Sequence, residues 1–484
     1  MNAFVAGADE TTLAPLATIG LTAVVAMVAI AVRRSHKLTL GITLSGLGLA
    51  VALLGPAAHL APRSFTLLLR VDGFALLFIG LIAASAFVVA LLAYGYLQHS
   101  DERPEEFYVL LLVATLGAAV LAASSHFASL FLGLEILSVS LYGLCAYPHT
   151  RPLPLEAGIK YLVLAASSAA FLLFGMALIY AATGALDFQT LAGALPGAPS
   201  SFVLPGLALI LVGIGFKLSL VPFHLWAPDV YQGAPAPVTA FIATASKAGI
   251  FAVLVRLFYL LGGPHTARAL TIVSVLAIAS MVGGNLLALR QRNLKRILAY
   301  SSIAHMGYVL VAFEAASASR AMATAAVGFY FIAYCITTLG AFGIIAALTT
   351  AAGEPDLIED YRGLFWRRPA LAVVFTAMLL SLAGIPLTAG FIAKFYVVAS
   401  GAAATLWLLL VVLVATSVVG LYYYLRVVVA LFAPAPAPLP SEGPLTLPLP
   451  RAGAWVLAAL LAALLWIGIY PQPFLRLVLS LPVR

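Results

Sequence analysis

The sequence predicts an all-α membrane protein of about fourteen transmembrane helices, and three observations lead there. Hydrophobic residues make up 63% of the chain and charged ones only 9%, with a mean hydropathy of +1.11; a water-covered surface needs far more charge. Apolar runs of membrane-crossing length recur from one end of the chain to the other. Lys and Arg gather in the short gaps between those runs, where they orient membrane segments.

Crossing roughly 30 Å of hydrocarbon takes about 20 residues in a helix. Runs of that kind occupy 12–32, 38–60, 71–97, 105–123, 127–147, 155–183, 203–224, 237–262, 267–289, 295–314, 320–351, 370–400, 403–431 and 452–470. The first reads as a helix and not as a signal peptide, because no basic stretch precedes it and Arg33, Arg34 and Lys37 follow it. Loops after odd-numbered runs hold more than twice the Lys and Arg of the others, with Arg103, Arg151, Arg290, Arg292, Lys295, Arg296 and Arg362 among them. That side is expected to be cytoplasmic, with both termini and the neutral segment 185–202 outside. Segment 432–450 is Pro-rich and reads as an extended spacer before the last helix. Residues 1–484 form a single polytopic membrane domain on this reading.

Two runs carry helix breakers. Pro222 falls late in the seventh, after Lys217, and Pro386 falls in the twelfth between Gly384 and Gly390. Proline removes a backbone donor and clashes with the preceding turn, and freed backbone groups survive in a membrane only where protein or water satisfies them. Each break lies near a Gly-Phe step and a lysine: Gly215-Phe216-Lys217, and Gly390-Phe391 before Lys394. The pattern predicts broken helices 7 and 12 within two inverted five-helix repeats, 105–262 and 267–431.

Glu135, Lys217, Lys247 and Lys394 lie deep inside apolar runs. A charge near the bilayer centre costs about 2.5–3.5 kcal/mol on insertion scales, so these residues need partners, water or neutralisation. Together they read as a proton path. Glu135 and Lys217 form a switch: close together, Lys217 holds its proton; apart, it passes the proton to Lys247 on the next helix, with Lys394 as the far terminal. His224, Thr244, Ser246, Ser301, Ser302, His305, Tyr308, Tyr330, Tyr334, Thr337 and Thr338 supply polar links, His305 foremost because neutral imidazole accepts and donates at once. Plainer readings stand beside these. A single intramembrane lysine also suits a structural ion pair, His305 a satisfied core histidine, His224 a cap at a helix end, and the hydroxyls packing. Glu156 and Lys160 read as an i,i+4 pair. Glu354, Asp356, Glu359 and Asp360, with Arg362, Arg367 and Arg368, read as a solvated face or a docking surface.

Other chemistries find no support. Cys145 and Cys335, the two cysteines, have neither disulfide nor metal-ligand spacing, so no metal, haem or iron–sulfur site is expected. No Gly-rich phosphate loop follows a strand-like run. The formal charge of +8 forms no basic stripe, so nucleic acid is excluded as a partner.

At the buried charges the sequence resembles the antiporter-like subunits of respiratory complex I. KLSLVPFHLWAPDVYQGAPAPV from Lys217 and ASKAGIF around Lys247 carry the likeness, with NLKRILAYSSIAHMGYVLV from Asn293 and GIPLTAGFIAKFYV from Gly384. EAGIKYLVLAASSAAFLLFGMALIY from Glu156 and IEDYRGL from Ile358 fit the same group, and the likeness covers roughly residues 70–430. PDVYQGAP and IEDYRGL are similar to the subunit N branch; Lys394 stands where subunit M usually has glutamate, and no lateral C-terminal helix of the subunit L kind is expected. The resemblance implies a proton-translocating subunit of an NADH–quinone oxidoreductase in the bacterial inner membrane. It implies no cofactor on this chain, with NADH, FMN, iron–sulfur clusters and quinone handled by other subunits. It implies membrane partners, the antiporter-like subunit M and small subunits such as K and J, besides the lipid bilayer. By resemblance Glu135 matches the fifth-helix glutamate, Lys217 the seventh-helix lysine, Lys247 the central eighth-helix lysine, Lys394 the twelfth-helix lysine and His305 the tenth-helix polar position. The alternatives on the same fold are a cation/proton antiporter subunit and a purely structural spacer.

Overall fold

Lipid leaves a chain two ways of satisfying its backbone, the helix and the closed barrel, and runs dominated by Leu and Ala favour the helix. The computed structural model describes residues 2–98, 103–260, 264–350, 353–434 and 451–480. In chain order the first half comprises α1 (Asn2–Val32), α2 (His36–Ala52), α3 (Leu54–Leu60), β1 (Arg63–Phe65), β2 (Leu69–Val71), α4 (Gly73–Leu97), α5 (Glu105–Ala123), α6 (Phe127–Cys145), α7 (Pro152–Thr183), α8 (Phe188–Ala194), α9 (Ser200–Lys217), α10 (Trp226–Gly233) and α11 (Ala236–Phe241). A π-helical turn, Ile242–Ser246, joins α11 to α12 (Lys247–Leu260). There follow α13 (Pro264–Leu289), α14 (Leu294–Glu314), α15 (Arg320–Ala347), α16 (Leu364–Arg367), α17 (Pro369–Ala383), α18 (Ala389–Ala403), α19 (Trp407–Phe432), α20 (Arg451–Ile469) and α21 (Gln472–Leu479).

Among the described residues thirteen helical spans are long and apolar enough to cross a membrane. The twelfth run, expected to be broken near Pro386, is the pair α17 and α18, each shorter than the membrane-crossing spans. The Pro-rich spacer lies, over 435–450, outside the described residues. Burial sorts the helices into a centre and a rim. The apolar stretches of α11–α12 and of α14 are 100% buried, against 33% for those of α1, α7 and α20. The central helices therefore carry polar groups away from lipid. α14 packs on α10, α13, α15, α18 and α19, and α15 packs on α4, α11, α17, α18 and α20. Glycine sets the closest approach: a Cβ at Gly284 of α13 would stand 2.7 Å from the Ala304 nitrogen of α14, the small-residue contact that helices use in membranes.

One departure from an all-helical chain is a hairpin, β1–β2, with Arg63 opposite Val71 and Phe65 opposite Leu69. Strands of three residues are too short to display an alternating pattern. The hairpin is seated on the start of α6, where the Ser125 backbone N–H donates to the Leu68 carbonyl at 3.0 Å and Ser129 Oγ donates to the same oxygen at 2.6 Å.

Candidate functional site

The site begins where two helices stop. α9 ends at Lys217, five residues before Pro222, so the break expected at the proline comes earlier. Ser219 adopts a left-handed φ of 61°, and the N–H groups of Ser219 and Leu220 return to the carbonyls of Phe216 at 2.9 Å and Gly215 at 2.8 Å. α17 ends the same way: Gly384 has φ 88°, and the N–H groups of Gly384 and Ile385 return to Ser381 and Leu380, each at 3.0 Å. Both terminations are Schellman motifs, which satisfy carbonyls that would otherwise face an apolar interior. Carbonyls at the breaks also accept from side chains. Trp226 Nε1 donates to Phe216 O at 2.9 Å, and Lys394 Nζ donates to Ala383 O at 2.8 Å. A cation on the last carbonyls also complements the negative end of the helix dipole.

Each buried lysine meets a serine. Lys217 Nζ donates to Ser138 Oγ, Lys247 Nζ to Ser302 Oγ and Lys394 Nζ to Ser417 Oγ, all at 2.7 Å. Among the described residues none of the three forms a carboxylate ion pair, which removes the structural salt-bridge reading. Lys217 and Lys247 are 5% and 1% exposed, and Lys394 is intermediate. Aromatic faces complete the surroundings. Lys217 Nζ lies 5.3 Å from the Tyr161 ring centroid, Lys247 Nζ 5.9 Å from that of Tyr231, and Lys394 Nζ 5.2 Å from that of Tyr308, distances at which a cation is attracted to a ring face. The π-helical turn immediately before Lys247 is a local irregularity of the kind that recurs at functional sites.

Between Lys247 and Lys394 the interior is polar. Ser302 Oγ bonds Tyr334 Oη at 2.7 Å and lies 3.4 Å from Tyr231 Oη. The Tyr334 ring is 5.4 Å from the His305 ring. His305 Nδ1 bonds Tyr330 Oη at 2.7 Å, and its Nε2 lies 3.3 Å from Tyr424 Oη, which bonds Ser301. Tyr308 packs edge-on against His305 at 5.4 Å and accepts from Asn285 Nδ2 at 2.8 Å. A cavity of about 10 Å³, room for about one water, lies between His305, Tyr330, Tyr334, Thr337, Ser381 and Gly390. Thr337 Oγ1 lies 3.1 Å from Ser381 Oγ, at the end of α17. Of the remaining hydroxyls, Thr244 donates back to Ala240 O at 2.6 Å and is a packing group; Ser246 is buried on the π-helical turn, and Thr338 Oγ1 closes no hydrogen bond of good geometry.

The other expected members stand apart. Glu135 forms no ion pair or hydrogen bond with Lys217: Ser138, one turn further along α6, holds the lysine instead. Glu135 is half-buried, and its Oε1 has no hydrogen-bond partner. Neither ring nitrogen of His224 closes a hydrogen bond of good geometry. Tyr161 stacks on Trp226 at 4.7 Å, and Trp226 meets Tyr231 edge-on at 6.5 Å, so an aromatic partition separates the Lys217 pocket from that of Lys247.

Four charged groups escape the sequence reading. Arg256 and Asp72, 1% and 2% exposed, form a bidentate pair at 2.9 and 3.1 Å; the arginine sits in an apolar run and went unpaired because its partner lies 184 residues away. Lys295, expected in a solvated loop, is buried and bonds Glu354 at 2.5 Å. Glu354 also accepts from Ala236 N at 2.8 Å, so the presumed solvated face is partly interior. At the same end Asp229 holds Lys160 at 2.9 Å and Arg296 at 2.7 Å, while Glu156 and Lys160 form the expected i,i+4 pair at 2.7 Å. Burial pushes the Asp229 carboxyl up, but the Arg296 and Lys160 hydrogen bonds outweigh it and hold the group below its usual range. Burial first, then the neighbouring Glu354 and Asp360 charges, push the Asp356 carboxyl up against the opposing Lys295 charge and Asn293 hydrogen bond. Among the described residues no three His, Cys, Asp or Glu side chains converge to hold a metal ion.

Known proteins share this architecture. Residues 124–420 match the family described as NADH:quinone oxidoreductase/Mrp antiporter, TM. The NADH-quinone oxidoreductase subunit N of Ectopseudomonas mendocina is 48% identical over 475 residues, 96% of this chain and 95% of that protein. A chain of respiratory complex I from Thermus thermophilus, solved with bound aureothin, superposes with a TM-score of 0.80 at 35% identity, covering 96% of this chain and 98% of that one. A chain of the archaeal membrane-bound sulfane sulfur reductase gives 0.84 at 28% identity, covering 97% and 96%. A chain of the Mrp complex from Dietzia sp. DQ12-45-1b gives 0.83 at 22% identity over 97% and 96%, a likeness of fold alone. The chain belongs to the antiporter-like membrane subunits of the NADH:quinone oxidoreductase/Mrp family, in its subunit N branch.

Proposed function

We propose that this chain is a proton-translocating membrane subunit of a respiratory NADH–quinone oxidoreductase, in which electron transfer on other subunits drives protons through the lysine–serine–tyrosine–histidine network. The observation that carries the reading is the lysine–serine pairing without a counter-ion. A hydroxyl both donates and accepts, so Ser302 serves Lys247 in either protonation state. A proton passing from Lys247 Nζ to Ser302 Oγ is balanced by the serine's own proton leaving toward Tyr334 Oη, 2.7 Å away, whose hydroxyl proton passes on into the cavity it shares with His305. His305, between Tyr330 and Tyr424, relays in the same manner, and Lys394 receives beside the α17 break. Glu135 acts on Lys217 through its field and not through an ion pair. His224 serves as a polar group at the first break, buried against the Tyr300 ring at 6.4 Å. The halves 105–262 and 267–431 act as two related units, one behind each break. NADH, FMN, the iron–sulfur clusters and quinone belong to partner subunits, and the membrane neighbours are antiporter-like subunit M and small subunits such as K and J. The bacterial inner membrane is the setting, with both termini outside.

Protons moved per electron, in vesicles carrying the whole complex, test the relay. Lys247→Ala and Glu135→Ala are expected to lower that ratio, and an unchanged ratio in both ends the reading. Co-purification separates the antiporter alternative: flavin and iron–sulfur subunits accompany a redox-driven pump, and small membrane subunits alone accompany an antiporter.

A further inference from the structure

The tenth membrane pass, α14, carries a buried acid that the relay leaves unused. Its 21 residues span roughly 31 Å at 1.5 Å per residue, a full membrane thickness. Lys295 and Arg296 stand at one end, His305 near the middle, and Glu314 is the last residue at the other. We infer that Glu314 holds a proton at the end of the bundle opposite Arg296 and exchanges it with the water on that side, a conclusion that rests on the proton-translocating reading.

Glu314 is 6% exposed. Its Oε2 is bonded to Ser274 Oγ of α13, and its Oε1 is enclosed without a hydrogen-bond partner. Among the described residues no cation forms an ion pair with it. Tyr259 of α12 spends its hydroxyl on the Phe313 carbonyl at 3.3 Å, and the arginines of the flanking elements, Arg268 and Arg320, are exposed. A carboxylate here is unpaired, desolvated and set at the negative end of a helix dipole, three terms of the same sign. The protonated acid suits the site: with the proton on Oε2 it donates to Ser274, whose hydroxyl turns to the Leu270 carbonyl at 3.3 Å. Water is close, because Ser317, within one turn, is exposed. Toward the interior, Asn285 of the same α13 bonds Tyr308, which packs on His305.

The whole complex in sealed vesicles is compared as the unaltered form, Glu314→Gln, Glu314→Asp and Lys247→Ala. Glu314→Gln is expected to lower protons per electron by the same fraction as Lys247→Ala, and Glu314→Asp, which keeps an acid, to restore the ratio. Infrared spectra of the unaltered complex are expected to contain a protonated-carboxyl band that shifts in D2O and is missing from Glu314→Gln. A normal ratio in Glu314→Gln beside a lowered one in Lys247→Ala overturns the role of Glu314 and spares the relay; normal ratios in both overturn the relay itself. Equal loss in Gln and Asp variants through failed assembly, with no such band in the unaltered complex, marks a packing role and also overturns it.

Discussion

At the scale of single residues the decisive contact is between Lys247 and Ser302. Ser302→Ala removes the acceptor for a buried amine and the link to Tyr334 at once. A stranded buried donor costs about 1–3 kcal/mol, so the variant is expected to assemble, lose a few degrees of thermal stability and lower protons per electron; Ser302→Thr, which keeps the hydroxyl, is expected to retain the ratio. Gly384 makes a second test. A Cβ there would stand 2.9 Å from Lys394 Cδ, on a backbone at φ 88° that costs an L-residue about 1–2 kcal/mol. Gly384→Ala is expected to push Lys394 off the Ala383 carbonyl, and a ratio equal to that of the unaltered complex would show that this contact does not matter. The lysines themselves were legible in the sequence, because a charge inside an apolar run is conspicuous. Ser138 and Ser417 were not: serine is ordinary in membrane helices, and only the fold reveals which one faces an amine.

At the scale of elements, the sequence located both breaks but attributed the first to Pro222. The helix stops five residues earlier because Ser219 turns left-handed and a Schellman motif closes over it; the proline then forbids the helix to resume. Long-range pairs were illegible for a different reason, since nothing local ties Asp72 to Arg256. This pair fixes the start of α4, where Asp72 also caps Ala75 N at 2.9 Å, to α12, nine positions beyond Lys247. Asp72→Ala leaves a buried guanidinium uncompensated and is expected to cost about 3–5 kcal/mol, read as loss of assembled complex; pairing it with Arg256→Met is expected to recover much of that loss. Asp229 clamps α10 to α7 and α14. Its carboxyl is held below the usual range, so its contribution is complete above the ordinary carboxylate value of about 3.9 and is lost as pH falls through the lower folded value. The thermal-stability gap between the unaltered protein and Asp229→Asn is therefore expected to be constant above about pH 4 and to close below it.

At the scale of the whole molecule, charge is sorted to the two ends of the bundle. One end gathers two ion-paired groups, Asp229 with Lys160 and Arg296, and Lys295 with Glu354; the other carries the β1–β2 hairpin on α6, the Asp72–Arg256 pair and the end of α14. Loop counting assigned the Arg290–Arg296 side to the cytoplasm from sequence alone, and the fold adds that the excess charge there is partly interior and paired. A paired, buried Lys295 is a weaker retention signal than a free one, yet Arg290, Arg292, Arg362 and Arg367 on that side form no ion pair among the described residues, so the asymmetry survives. Orientation is measurable because the native thiols are silent: Cys145 and Cys335 are 0% and 1% exposed. Thr66→Cys at the exposed hairpin tip and Arg292→Cys in the exposed loop before α14 place one reactive thiol at each end. In intact cells a membrane-impermeant maleimide is expected to label Thr66→Cys and to reach Arg292→Cys only after the membrane is opened. The reverse pattern would invert the chain, and with it would place Glu314 on the cytoplasmic side and Arg296 outside, so the direction of any proton route along α14 turns on this one comparison.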